Sequence, residues 1–174
     1  PITAAPKTQL RRIELPFDPM PKKSEWEKLA APKSRYSYYA KKILVRLAEG
    51  QAIRKSLPYP IQTWTFGDDL AMVFLAGEVV VDYSHRLKEI FDGDRLWVNA
   101  YANDIPSYIA SRRLYDEGGY EVDRSMWYYD KMRRLSKDTE ELVLDEVVRQ
   151  LPHRFYAPDT LRQMPAPVEK SAAL

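Results

Sequence analysis

Apolar and polar positions along the chain follow two periods, and the period switches several times. Thr8 to Leu15 alternates and predicts a strand. Pro16, Pro19 and Pro21 then interrupt regular structure. Ser24 is placed to cap a short helix through Trp26 and Leu29, with Glu25 and Glu27 in its first turn. From Ser34 to Glu49 the period is helical: Tyr36, Tyr39, Ala40, Ile43, Leu44 and Leu47 recur at three and four, and Gly50 ends the run. These aromatics read as core.

The middle of the chain has β texture. Pro60 to Phe66 predicts a strand, Gly67-Asp68 a tight turn, and Asp69 to Leu75 a more buried strand, together a hairpin. After Ala76-Gly77-Glu78 a helix is expected to about Phe91, with Val79, Val80, Tyr83, Leu87 and Ile90 on one face. Asp92-Gly93 ends it, and Leu96 to Ala100 predicts another buried strand. Strand, helix, strand in this order implies an α/β fold, mixed α+β in detail, with a layered sheet and flanking helices. Asn103 to Glu121 reads as irregular, with Pro106 and the Gly118-Gly119 pair. Ser136 to Leu151 predicts a last amphipathic helix with Leu142, Val143, Val147 and Leu151 inward and Asp138, Glu140 and Glu141 in its first turn. The organisation is one domain over residues 1–151 and a Pro-rich tail over 152–174, expected to wrap the surface or lack order.

Composition narrows the chemistry. The chain of 174 residues contains no cysteine, which excludes disulfides, thiolate metal sites and a cysteine nucleophile. No apolar run reaches the roughly 18–20 residues of a membrane span. Residues 1–58 carry 13 basic and 5 acidic side chains, a balance of +8, and residues 59–174 carry 14 basic and 20 acidic, a balance of −6. A basic first third suits phosphate, an anionic membrane or an acidic partner, although interleaving with apolar positions also fits a solvated helix face. The basic residues form no dense stripe and no nucleic-acid motif is present, so nucleic acid is not an expected partner.

There is no phosphate-cradling glycine loop, no G-x-S-x-G elbow and no H-E-x-x-H helix, and only two histidines, His85 and His153. Glu78 stands out: it follows a buried strand through Gly77 and is expected to open a helix, whose N-terminus favours its charge. A glutamate in a first helical turn is equally expected for stability alone. Glu78, Asp82 and His85 share a helical spacing and form a naive metal-site candidate, with a solvated face as the plainer reading. Tyr108 and Tyr120 lie in the irregular segment, where a phenol can ligate a hard cation or donate to an oxyanion, but 12 tyrosines make most of them packing residues.

Read together, Ala76-Gly77-Glu78, His85-Arg86-Leu87, Ala102-Asn103, Tyr108-Ile109-Ala110-Ser111 and Tyr120-Glu121 form an ordered set. This set resembles the neutral, non-lysosomal ceramidases, especially their shorter bacterial members. The family carries Gly-Glu at a strand end, a helix with Arg-Arg-Leu, an Ala-Asn pair, a Tyr followed by Ile or Val and two hydroxyl residues, and a Tyr-Glu twelve positions past that Tyr. The spacing from Tyr108 to Tyr120 matches without a gap, and Tyr115 falls on another family Tyr. The resemblance is tightest over residues 77–121 and extends from about residue 8 to 151.

The resemblance implies the C-terminal part of the catalytic domain of a zinc amidohydrolase that cleaves the amide bond of ceramide or a related N-acyl lipid. It implies Glu78 and Tyr108 as Zn2+ ligands and Tyr120 as the phenol that assists the oxyanion. It also implies export or membrane association, with possible contact to a membrane surface. Four departures accompany it. Ala76 stands for the usual Pro, which is expected to loosen the turn presenting Glu78. His85 stands for an Arg, which argues against the Glu78–Asp82–His85 face as a metal site. Ala110 stands for a hydroxyl residue. The family's two zinc histidines have no counterpart here, which points to a missing preceding part of the domain and to a chain inactive alone. The alternatives are a non-catalytic binding module that keeps the fold, and an amidase for another N-acyl substrate.

Overall fold

Alternation of side chains along β2 sets the architecture. In the computed structural model, which describes residues 2–34, 36–131 and 133–163, β2 (Ser56–Phe66) buries Leu57, Tyr59, Ile61, Thr63 and Thr65 on one face. It pairs antiparallel with β1 (Pro6–Pro16) and with β3 (Leu70–Leu75). Pro58 and Pro60 stand inside β2, opposite Glu14 and Arg12 of β1, so the strand starts earlier than its apolar run suggests. The hairpin turn between β2 and β3 uses Gly67 at φ +53°.

From β3 the chain passes through a two-residue strand, β4 (Glu78–Val79), and helix α3 (Asp82–Ile90) before returning as β5 (Leu96–Asn99), parallel to β3. The main sheet therefore has the order β1-β2-β3-β5. The fold is mixed α/β, a four-stranded mixed sheet with flanking helices, as the pattern of elements implies.

The buried face of this sheet holds the main core. Ala71, Val73 and Leu75 of β3 pack with Tyr83 and Leu87 of α3 and with Val143, Leu144 and Val147 of α6 (Thr139–Gln150). Burying each such aliphatic side chain contributes about 1.5–3 kcal/mol. Polar contacts lie within the same layer. Gln150 donates to the Ile61 carbonyl and accepts from the Thr63 hydroxyl, and the buried Glu146 lies 3.8 Å from Arg11 of β1.

Residues Phe155 and Tyr156 also belong to this core, reached through a 3-10 turn at His153–Phe155 and followed by α7 (Pro158–Gln163). The packed body thus continues past Leu151, where the prolines suggest a loose tail. Two aromatic side chains outweigh the local breakers. Residues 164–174 of the expected tail lie outside the described residues.

The opposite face of the sheet differs. Trp64, Phe66, Met72 and Phe74 are only partly covered, and Leu10 and Trp97 are 48% and 58% exposed. Trp64 pairs with Met72, which pairs with Trp97, so apolar side chains run across three strands. This apolar surface is continuous across the strands and partly open to solvent.

A satellite core packs α1 (Lys23–Leu29) against α2 (Ser37–Ala48) through Trp26, Ala40 and Ile43, with Trp127 of α5 (Ser125–Tyr128) stacked on Tyr36 at 4.7 Å. Helix α1 starts at Lys23 rather than after Ser24: the Glu25 carboxylate accepts from the Lys22 N–H at 2.7 Å, closing the first turn two residues earlier. The segment 103–121, read from sequence as irregular, contains β6 (Tyr108–Ile109) and α4 (Leu114–Glu117), followed by a π-helical turn at Tyr120–Arg124.

Candidate functional site

Glu78 does not open a helix. It lies in β4, paired in register with Tyr108 of β6 in a two-stranded parallel sheet, and α3 begins only at Asp82. Backbone bonding explains the difference. The Gly77 N–H donates to Asp104, the Glu78 N–H to Ser107 and the Val80 N–H to Ile109, so these donors enter a ladder instead of a helical turn. Gly77 has φ +78°, and a Cβ there would sit 2.5 Å from the Ser107 carbonyl oxygen. Only glycine permits both the left-handed backbone and this close approach of β6.

Two buried phenols pin this small sheet from beneath. The Tyr59 hydroxyl donates to the Ala76 carbonyl at 2.7 Å, and the Tyr83 hydroxyl donates to the Ala110 carbonyl at 3.1 Å. One bond holds the chain entering β4 and the other holds the chain leaving β6. The turn at Ala76 is therefore tied down without the proline expected there. Burial keeps both hydroxyls protonated far above the ordinary tyrosine range.

On the accessible side, three phenols converge on the Glu78 carboxylate. Tyr129 donates to Oε1, Tyr101 donates to Oε2 at 2.9 Å, and Tyr108 also donates to the carboxylate. The Tyr129 hydrogen bond is the largest influence, and with those from Tyr108 and Tyr101 it holds Glu78 below the usual carboxylate range despite partial desolvation. Reciprocally, the bond to Glu78 pushes the Tyr108 phenol from 10.0 to about 12. Tyr120 packs its ring edge-on against Tyr108 with centroids 5.6 Å apart, and Tyr128 lies 6.2 Å beyond it.

The three residues singled out by the ordered motif, Glu78, Tyr108 and Tyr120, are thus brought together. Tyr101 and Tyr129 are the residues that sequence reasoning missed. Nothing in the pattern separates them from the other tyrosines. Of the two, Tyr101 carries a mark in its own backbone, visible only in three dimensions, with φ +56°; Tyr129 has an ordinary φ of −89° and precedes Asp130 at φ +52°. A bulky residue in the left-handed region is a costly conformation held by its surroundings, and such positions cluster at functional sites.

The helix-face metal candidate is not formed. Glu78 is in a strand, so it shares no helical face with Asp82 and His85. Asp82 instead accepts from the Ser111 hydroxyl and pairs with Arg113 at 2.9 Å, and these partners, Ser111 first, hold its carboxyl below the usual range. His85 and His153 are exposed. Among the described residues no group of three or more His, Cys, Asp or Glu side chains is arranged to hold a metal ion.

Comparison with models of protein families, with curated proteins and with solved structures finds no match to this chain.

Proposed function

We propose that this chain is part of the catalytic domain of a zinc-dependent amidohydrolase acting on ceramide or a related N-acyl lipid. In this reading Glu78 and Tyr108 are metal ligands, and Tyr120 donates to the developing oxyanion. The observation that carries it is the register pair Glu78–Tyr108 with Tyr120 edge-on beside it, the three residues to which the family resemblance gives these roles.

The donor set fits half of a zinc site. A carboxylate kept ionised and a phenol beside it are two hard oxygen ligands, where zinc takes about four. The remaining ligands are the two histidines that the family resemblance supplies and that have no counterpart here. Zinc bound there would lower the pKa of its water to about 7 and polarise the amide carbonyl. The side chains of this chain contribute the rest. Glu78 arrives already charged. Tyr108 holds its proton to about 12 chiefly through its hydrogen bond to the Glu78 carboxylate, with burial adding to the effect, and a neighbouring dication would oppose the field of that carboxylate. Tyr120, 41% exposed, faces solvent where a substrate carbonyl can reach its hydroxyl. A donor of this kind is worth about 10²–10³ in turnover when it meets charge that exists only near the transition state.

The open apolar sheet face supports the reading of a larger domain. A mixed sheet with Trp64, Met72, Phe74 and Trp97 partly bare is suited to receive a second covering layer.

The test uses a polypeptide that carries the complete ligand set. Tyr108→Phe and Glu78→Gln are expected to lose most bound zinc and most hydrolysis of N-acylsphingosine. Tyr120→Phe is expected to keep its zinc and lose about 10²–10³ of turnover. Wild-type zinc and rate in Tyr108→Phe would overturn the ligand assignment. Equal rates on N-acylsphingosine and on simple N-acyl amides would remove ceramide as the substrate. One observation favours a second reading, a non-catalytic module that retains the fold: both Glu78 oxygens are already occupied by phenols. A folded complete protein that takes up no zinc would select it.

A further inference from the structure

The sequence places a basic excess in residues 1–58 that the Glu78 site does not use. The fold gathers part of it with cations from far along the chain. Arg46 lies in the last turn of α2, and Gly50 at φ +64° turns the chain into the loop that carries Arg54. Lys131 and Arg133 come from the segment after α5. These four side chains line one cavity of about 360 Å³, together with Phe17, Ile53, Leu57 and Asp130.

The charges in this cavity are not balanced. Asp130 is the carboxylate among the described lining residues, and it is already paired with Arg46 at 2.8 Å and Lys42 at 3.1 Å. Arg54, Lys131 and Arg133 have no carboxylate within ion-pair distance among the described residues. Arg133 stacks 5.5 Å over Phe17 and donates to the Arg54 carbonyl at 2.7 Å, which fixes its guanidinium and leaves further N–H groups for a ligand. Asp18, outside the cavity wall, is engaged by Arg134. Burial pushes the Lys131 ammonium below its ordinary value; Asp104 and Asp130 pull it back only in part, and Arg54 adds to the depression. Three like charges around a partly enclosed space repel one another, and a multiply charged anion relieves that repulsion.

We propose that this cavity binds a phosphate group, held by Arg54, Lys131 and Arg133, with Phe17, Ile53 and Leu57 beside the part of the ligand that carries it. Guanidinium forks match phosphate oxygens in pairs, and a lysine supplies a point charge. The group can belong to a soluble phosphate compound or to an anionic lipid headgroup. The site is separate from the Glu78 carboxylate, although Lys131 follows Tyr129 by two positions.

The experiment is calorimetric titration of the 174-residue chain with inorganic phosphate at low ionic strength, and co-sedimentation with phosphatidylglycerol vesicles against phosphatidylcholine vesicles. Saturable phosphate binding is expected, with a dissociation constant of about 1 mM or tighter, weakened by added salt. Arg54→Gln with Lys131→Gln should weaken it about tenfold or more, whereas Lys7→Gln on the exposed start of β1 should leave it unchanged. Arg54 is exposed, so the single Arg54→Gln change is expected to keep the fold and should show the same direction if the double variant loses stability. Phosphate binding without vesicle binding supports a soluble ligand, and vesicle binding lost in the same variant supports a headgroup. Failure of wild-type protein to bind either probe overturns the site, as does an equal loss in Lys7→Gln.

Discussion

The tyrosines beneath the small β4–β6 sheet and those above it use the same hydroxyl for different ends. Below, Tyr59 and Tyr83 are fully buried and donate to main-chain carbonyls. Above, Tyr101, Tyr108 and Tyr129 are at least partly accessible and donate to a carboxylate. Burial decides the difference. A phenol sealed in the core can only satisfy a fixed neutral acceptor, since an unpaired buried carbonyl would cost about 1–3 kcal/mol. A phenol at the surface can instead donate to a charged carboxylate. The lower set positions the site, and the upper set tunes it.

This contrast can be broken at three points. The largest effect is expected from Gly77→Ala, which forces a left-handed backbone on alanine and drives its Cβ into the Ser107 carbonyl. It should cost on the order of 3 kcal/mol in denaturant unfolding. A loss of only a few tenths would show that β6 is free to move away from Glu78. Next, Tyr59→Phe leaves the Ala76 carbonyl without its donor and should cost about 1–2 kcal/mol, seen as a lower unfolding midpoint. An unchanged midpoint would mean that the lower set is not structural.

The smallest effect, and the sharpest, is electrostatic. Tyr129→Phe removes the strongest donor to Glu78, so the carboxylate pKa should rise towards its ordinary value in an NMR titration. No change would mean that the upper set does not tune the carboxylate. The sign of the linkage follows. The pKa of Glu78 is lowered by folding, so its contribution to stability is present above its unfolded value and is lost as pH falls through the folded value. The pKa of Tyr108 is raised, so its contribution is full below about 10 and is lost as pH rises towards about 12. Tyr129→Phe should therefore flatten the acid side of the stability profile.

Local pattern was sufficient wherever one element buries one face by itself. The β2–β3 hairpin, α2, α3, β5 and α6 were all legible, because periods of two and of about 3.6 are properties of neighbouring residues. Pattern failed where a partner distant in the chain decided the outcome. Glu78 to Val80 look like the start of a helix, yet the N–H groups of Glu78 and Val80 find acceptors about thirty positions away, at Ser107 and Ile109. Phe155 and Tyr156 follow a helix-breaking proline, yet both join the core, with Tyr156 bridged to Phe91 at the end of α3 and its ring packed edge-on against it.

The site divides in the same way. The pattern of residues by itself marked Glu78, and only the family resemblance added Tyr108 and Tyr120, three residues that the fold brings together. Only the tertiary structure decided that Glu78 faces Tyr108 across a ladder, that Tyr101 and Tyr129 complete its surroundings, and that Arg46 and Arg54 meet Lys131 and Arg133 around one cavity. The physical reason is that periodicity records which face of an element avoids water, whereas a hydrogen bond or a field between remote residues depends on distances that exist only after the chain has closed on itself.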